Sequence, residues 1–363
     1  MSKLPDSLFR ALMALCLMLG LTAVRAEPYL AVQSGLKCVA CHVNPTGGGL
    51  RNALGVAFGQ RSLPANTPDG MEGWNGALTD YLRLGGDYRA SRKQASVPGQ
   101  ASQTESGVDQ FRLYGELKLL NEHAALVIDE WLAPGKAQRQ EAYLRLATSG
   151  QAWYLKAGQF YLPFGWRLQD SSSFVRSISG INMTAPDKGV ELGMEHDQWS
   201  AQLSFTRGPG NKGTGQGHQV GAQLIHLQSW GRVGLALADT SAAGGKRRAI
   251  GAFGGANYGP VTYLVEVDLV SDDGYPEGRR RMLAALAEAN WLVQQGHNLK
   301  LTLEALDPDR RVANDRKVRH SLVYEYAPLP FVQLRAGYRR YDGIPQNAFD
   351  NRRQSFLELH GYF

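Results

Sequence analysis

The chain has 363 residues, with 39 Lys plus Arg against 33 Asp plus Glu and only three cysteines. The positive excess is mild and dispersed, with no basic block interleaved with aromatics, so the sequence carries no footprint for nucleic acid. With 42 Gly, 15 Tyr and no apolar run of 18 residues, the composition excludes a helical membrane protein and admits a transmembrane β-barrel.

Residues 1–26 read as a secretory signal: Lys3 and Arg10 precede the apolar run from Ala11 to Val24, and Val24-Arg25-Ala26 supplies small residues for cleavage. Cys16 follows Leu15 rather than a small residue, which argues against lipoprotein processing. A mature chain starting at Glu27 keeps 36 basic and 32 acidic residues, a net charge of +4.

Residues 27–65 form a segment built on Cys38-Val-Ala-Cys41-His42. Two thiols three residues apart, followed at once by an imidazole, are what covalent haem attachment requires: each sulfur joins one vinyl group, and the histidine reaches the iron from one face. The expected cofactor is one covalently attached haem c on Cys38 and Cys41, with His42 as metal ligand. A zinc site would need a second ligand pair, and a CxxC disulfide usually sits in a redox βαβ domain; the chain offers neither. After a turn at Asn44-Pro45-Thr46-Gly47-Gly48-Gly49, the spacing of Leu50, Ala53, Leu54 and Phe58 predicts a short helix. That face would cover the porphyrin or pack on the rest of the protein. Fewer than 40 residues cannot enclose a haem, so walls must come from elsewhere in the chain. Met71 is the nearest downstream methionine for a sixth iron ligand; Met183, Met194 and seven other histidines lie elsewhere.

Beyond a linker at 66–77, residues 78–363 divide into runs of about ten residues with alternating polarity. In one run Phe111, Leu113, Leu117 and Leu119 share one face, and Arg112, Tyr114, Glu116 and Lys118 the other. In another, Leu299, Leu301 and Leu303 oppose Lys300, Thr302 and Glu304. The predicted strands are 79–91, 108–120, 123–132, 140–149, 151–161, 188–196, 197–206, 216–229, 230–240, 246–257, 260–270, 280–294, 297–306, 317–327, 330–341 and 353–363. The expected fold is therefore all-β, a 16-stranded antiparallel transmembrane β-barrel preceded by a short, partly helical haem segment. Short turns alternate with the long polar links 92–107, 162–187, 207–215, 271–279, 307–316 and 342–352, which puts both chain ends on the periplasmic side. Trp153, Trp199, Trp230 and Trp291 fall near short turns, as an interfacial girdle requires. The absence of internal repeats argues against a soluble propeller or sandwich.

The terminal Phe363 after alternating apolar residues resembles the insertion signal of outer-membrane barrels, with Gly361 where a larger residue is common. Gly158-Gln-Phe-Tyr-Leu-Pro-Phe-Gly165, the stretch through Arg176, and Gly189-Val-Glu-Leu-Gly193 resemble the fifth strand, third loop and sixth strand of the phosphate-selective O/P porin family. That resemblance implies a loop folded into the lumen, with Trp166, Arg167, Phe174, Arg176 and Met183 at a constriction or on a solvated loop face. Arg112, Lys118, Arg335 and Arg339 face the same lumen as Glu116, Glu304, Glu325 and Glu358, a mixed lining that does not establish anion selectivity.

The order of parts, a CxxCH segment followed by a sixteen-stranded barrel, resembles the fused monohaem cytochrome-porins of bacterial outer membranes, some of which oxidise extracellular Fe(II). The resemblance implies an electron-transfer protein, possible Fe(II) oxidase activity included, linking an extracellular donor, acceptor or metal ion to a periplasmic soluble cytochrome or other redox carrier. The haem segment would sit on the periplasmic side or within the lumen, amid outer-membrane lipid. The alternative is a passive anion or solute porin whose haem segment acts as plug, gate or redox sensor. A peroxidase is disfavoured, since no distal His/Arg pair accompanies the motif.

Overall fold

The computed structural model describes residues 27–70, 73–208, 217–242 and 244–363; the expected signal segment, Cys16 and Met71 lie outside the described residues. Sixteen strands form a closed antiparallel barrel in which each pairs with its sequence neighbours and the last pairs with the first. They are β1 (Leu82–Ser96), β2 (Gln103–Leu120), β3 (Ala124–Ala133), β4 (Gln138–Ala147), β5 (Trp153–Phe160), β6 (Asp187–His196), β7 (Trp199–Thr206) and β8 (Gly217–Gln228). The second half comprises β9 (Gly231–Ala242), β10 (Gly245–Tyr258), β11 (Val261–Asp272), β12 (Arg280–Gln294), β13 (His297–Asp307), β14 (Lys317–Leu329), β15 (Val332–Asp342) and β16 (Arg353–Tyr362).

Alternation sorts the side chains. On β11, Tyr263, Val265, Val267 and Leu269 are exposed, while Thr262, Leu264, Glu266, Asp268 and Val270 are buried. An apolar exterior around a partly charged interior is unfavourable in water and suited to lipid. Trp153, Trp199, Trp230 and Trp291 are all exposed next to short turns, as an interfacial belt would be. The seam closes with Asp87 opposite Tyr362, and Phe363 exchanges two backbone hydrogen bonds with Gly86 at 3.0 and 3.1 Å.

The link expected at 92–107 is shorter than predicted, because β1 and β2 continue pairing out to Ala95 and Gln103. Its polar residues do not stop a ladder that projects into water, where both faces are solvated.

The first segment and the third long loop pack inside the barrel. Residues 27–61 carry three helices, α1 (Pro28–Ser34), α2 (Cys38–Cys41) and α3 (Ala53–Arg61), and the third long loop carries α4 (Phe174–Ser179). Tyr29 and Val32 of the first segment, Phe164, Trp166, Val175 and Ile178 of the loop, and Phe253, Leu264 and Leu286 of the wall form one apolar cluster. Buried ion pairs join the parts, Lys300 of the wall to Glu27 of the first segment at 3.2 Å and Glu266 of the wall to Arg176 of the loop, and others brace neighbouring strands, Lys156 to Glu191 at 2.7 Å and Arg319 to Glu304. Each is strong only as a pair, since removing one partner strands a charge away from water at a cost of about 3–5 kcal/mol.

Candidate functional site in the barrel lumen

The site is assembled by the first 35 described residues. Pro28 opens α1, and Gly35, at φ 67°, ends it with its N–H on the Val32 carbonyl at 3.1 Å. Tyr29 Oη donates to Glu325 at 3.2 Å, and Asn257 Nδ2 donates to the Val32 carbonyl at 2.7 Å, so one side of α1 is fixed to the wall. Arg232 donates to the Ala31 carbonyl and, at 2.7 Å, to that of Leu36. Lys37 then reaches the Trp199 carbonyl at 2.7 Å and Glu195 at 3.5 Å.

Next comes α2, a single turn in which the His42 N–H meets the Cys38 carbonyl at 2.9 Å. Helical spacing sets both thiols on one side. Asn52 caps α3 through the Gly55 N–H at 3.0 Å, while its amide donates to the Ala40 and Val39 carbonyls at 2.9 and 3.1 Å, clamping α3 to α2. The contact needs Gly55: a Cβ there would lie 2.1 Å from the Cys41 carbonyl oxygen. The intervening loop is held by Asn44, which accepts from Lys156 Nζ at 2.8 Å and donates to Glu141 at 3.1 Å. Gly47, at φ +88°, lets the loop close on Cys38, with its Cβ position 3.3 Å from the sulfur.

Cys38, Cys41 and His42 line one cavity of about 1150 Å³, part of it open to solvent. Leu30 and Ala31 of α1, Phe58 of α3, Phe164 and Trp166 of the third loop, and Phe253 of β10 supply apolar walls; Trp166 and Phe253 meet edge to face at 5.0 Å. Cofactor cavities run to roughly 300–1,000 Å³ with apolar walls and few polar groups, so the space suits a porphyrin. His42 is 7% exposed, and its Nδ1 has no partner among the described residues. Burial, reinforced by Arg51 and Arg167, lowers the His42 pKa to about 3, so the ring is neutral and has a lone pair to give. Burial also raises the pKa of both thiols, Cys38 and Cys41, and lowers that of Arg51 to about 10. A neutral imidazole beside two free thiols in an apolar chamber fits a thioether-linked haem.

The structure thus brings the three expected attachment residues together. Of the residues expected to cover a porphyrin face, only Phe58 lines the cavity. Leu50 packs instead with Val43, Tyr114, Val127, Tyr143 and Phe160, and Leu54 is 52% exposed. The buried side of α3 is Gly55, Val56, Gly59 and Gln60: Gly55 abuts Cys41 of α2, Val56 packs with Phe331 and Tyr362, and Gln60 donates to the Trp74 carbonyl at 2.6 Å. In the third loop, Trp166, Arg167 and Met183 line the cavity, and Arg167 donates to the Gly47 carbonyl at 2.7 Å. Phe174 and Arg176 are buried deeper against the wall. Glu27, Glu195, Arg232 and Phe253 also line the cavity and were not singled out from the sequence; alternation marks Arg232 and Phe253 as inward-facing, and nothing local marks their meeting with Cys38. Among the described residues there is no cluster of three or more metal-ligating side chains.

A closed sixteen-stranded antiparallel barrel with an apolar exterior, short turns at one end and an inward-folded third loop defines the class: a porin-like barrel of the outer-membrane type. Solved structures agree. The anion-selective porin from Comamonas acidovorans superposes with a TM-score of 0.62 at 12% identity, over 78% of this chain and 99% of that one. OprB of Pseudomonas putida matches with a TM-score of 0.61 at 11% identity over 85% and 100%, and OmpT of Vibrio cholerae with 0.62 at 12% over 80% and 100%. No family model and no curated protein matches the sequence.

Proposed function

We propose that the chain is an outer-membrane porin-type barrel whose lumen is closed by a haem-bearing plug, residues 27–65, acting as gate or redox sensor over a solute path. The observation that carries this is the location of Cys38, Cys41 and His42 in an apolar chamber inside the barrel, walled by both the plug and the third loop. The similarity to porins and channels supports the solute-path side of the reading. A haem there would supply a one-electron couple whose potential burial raises. The chain's own residues do the rest. Cys38 and Cys41 anchor the group, His42 offers neutral nitrogen, and Arg232, Asn44 and Lys300 hold the plug to the wall. Single-channel recording tests the gate: the full chain should conduct poorly, and a chain lacking residues 28–64 should open a large pore. Equal conductance of the two would refute it.

A second reading, electron transfer between an extracellular donor or acceptor, Fe(II) included, and a periplasmic cytochrome, is favoured by one feature. His42 is buried in a cavity that barrel-wall residues help to line, and a haem held there would have a shorter path across an apolar band about 25 Å tall than one held outside the barrel. An impermeant external reductant added to proteoliposomes decides it, since a haem that stays oxidised excludes the conduit.

A further inference from the structure

Arg51 sits where two cavities meet. It lines the chamber of Cys38, Cys41 and His42, and also a smaller cavity of about 460 Å³ whose walls include Asp87, Arg89, Gln110, Arg112 and Tyr114. Gly48 and Met183 line both as well, so these three residues form the partition. The charged end of Arg51 lies at that boundary. It acts on Cys41 and His42 on one side and on Asp87 and Tyr114 on the other, and its Cζ stands 5.1 Å from the centre of the Tyr362 ring.

Arg51 is 9% exposed, and among the described residues its guanidinium meets no hydrogen-bond acceptor and no carboxylate at ion-pair distance. Asp87 cannot serve. Its oxygens already engage Arg89 at 3.0 and 3.2 Å, Gln110 at 2.6 Å and His360 at 2.8 Å, and a carboxylate has about four lone-pair sites to give. The other cations of the chamber are engaged: Lys37 pairs with Glu195 at 3.5 Å, Arg167 donates to the Gly47 and Tyr161 carbonyls, and Arg232 to those of Ala31 and Leu36. A buried charge without a partner is costly, and a ligand that supplies the missing partner removes that cost.

We infer that Arg51 anchors a carboxylate-binding site on the wall shared by the two cavities, its planar fork taking both oxygens of one carboxylate. Arg167 adds positive charge to the same wall, with its Nη1 3.5 Å from the Cβ position of Gly48. Two sources can bring that group: the carboxylate arms of a porphyrin tethered at Cys38 and Cys41, or a free organic carboxylate on the solute path. The first source rests on the haem reading above. The site itself does not.

Titration calorimetry with succinate on the full Cys38→Ala/Cys41→Ala chain tests the site without haem. Succinate should bind, and Arg51→Met in the same chain should weaken it about ten- to a hundredfold, the loss expected for hydrogen bonds to a charged group, with Arg51→Lys between the two. Without succinate, Arg51→Met should melt no lower than its parent, because no partner is stranded; a large drop would show a structural arginine and overturn the inference. The haem-bearing wild type separates the sources. A porphyrin propionate band in resonance Raman that moves in Arg51→Met assigns the site to the porphyrin arm. An unmoved band, with succinate bound as tightly as in the haem-free chain, assigns it to a free solute. An unmoved band with succinate binding absent or indifferent to Arg51→Met overturns the inference. A negative alkaline pyridine haemochrome removes the haem reading alone, and the succinate titration then decides the site by itself.

Discussion

Asn44→Ala tests how the plug is docked. Asn44 is 2% exposed and belongs to the plug, yet its strongest partners are on the wall: Lys156 Nζ donates to its oxygen at 2.8 Å, and its amide donates to Glu141 at 3.1 Å. Both wall groups keep other partners after the substitution, Lys156 with Glu191 at 2.7 Å and Glu141 with the Tyr161 N–H at 3.1 Å. The loss therefore falls on docking and not on the barrel. Hydrogen bonds to charged groups contribute about 1.5–3 kcal/mol each, so two remove about 3–6 kcal/mol. At about 1.4 kcal/mol per factor of ten, plug opening becomes roughly a hundred- to ten-thousand-fold more frequent. Hydrogen exchange followed by mass spectrometry reads this directly: amides of α3 should exchange faster by that factor, with the strands unchanged. Wild-type protection of α3, or equal loss in the strands, would refute the reasoning.

Lys156→Met should destabilise the protein by about 3–5 kcal/mol, because Glu191 keeps only the Tyr154 hydroxyl at 3.1 Å as a partner for a fully buried charge; a lowered melting temperature checks it. Gly55→Ala should cut the yield of covalently attached haem, read by haem staining, while heat-modifiable barrel mobility stays normal, since its Cβ would strike the Cys41 carbonyl. In a haem-free Cys38→Ala/Cys41→Ala variant, docking should weaken as pH falls from 6.5 towards 3. In that window the undocked chain binds a proton at His42 that the docked plug refuses, costing about 1.4 kcal/mol per pH unit, and channel opening on acidification is the readout.

Strand number and inward or outward facing were legible because the strand period is two and lipid demands apolar residues on one face only. Arg112 and Glu116 are buried and Leu113 and Leu117 exposed, as the alternation predicts. The motif behind the haem expectation was readable because it is local, three residues of two types within five positions. The chamber was not, since its walls come from α1, the third loop and β6–β10, and no local pattern records that Cys38 meets Arg232 or that Trp166 meets Phe253. The face of α3 was misread for a related reason: Leu54 looks like core by periodicity, but the helix turns Gly55 to α2.

The central claim is that Cys38 and Cys41 hold a haem inside this barrel. Intact mass of the purified, denatured protein tests it most directly. The account predicts a chain heavier by one haem, with neither thiol open to alkylation and the increment lost in Cys38→Ala/Cys41→Ala. A chain of bare polypeptide mass with two alkylatable cysteines would contradict it.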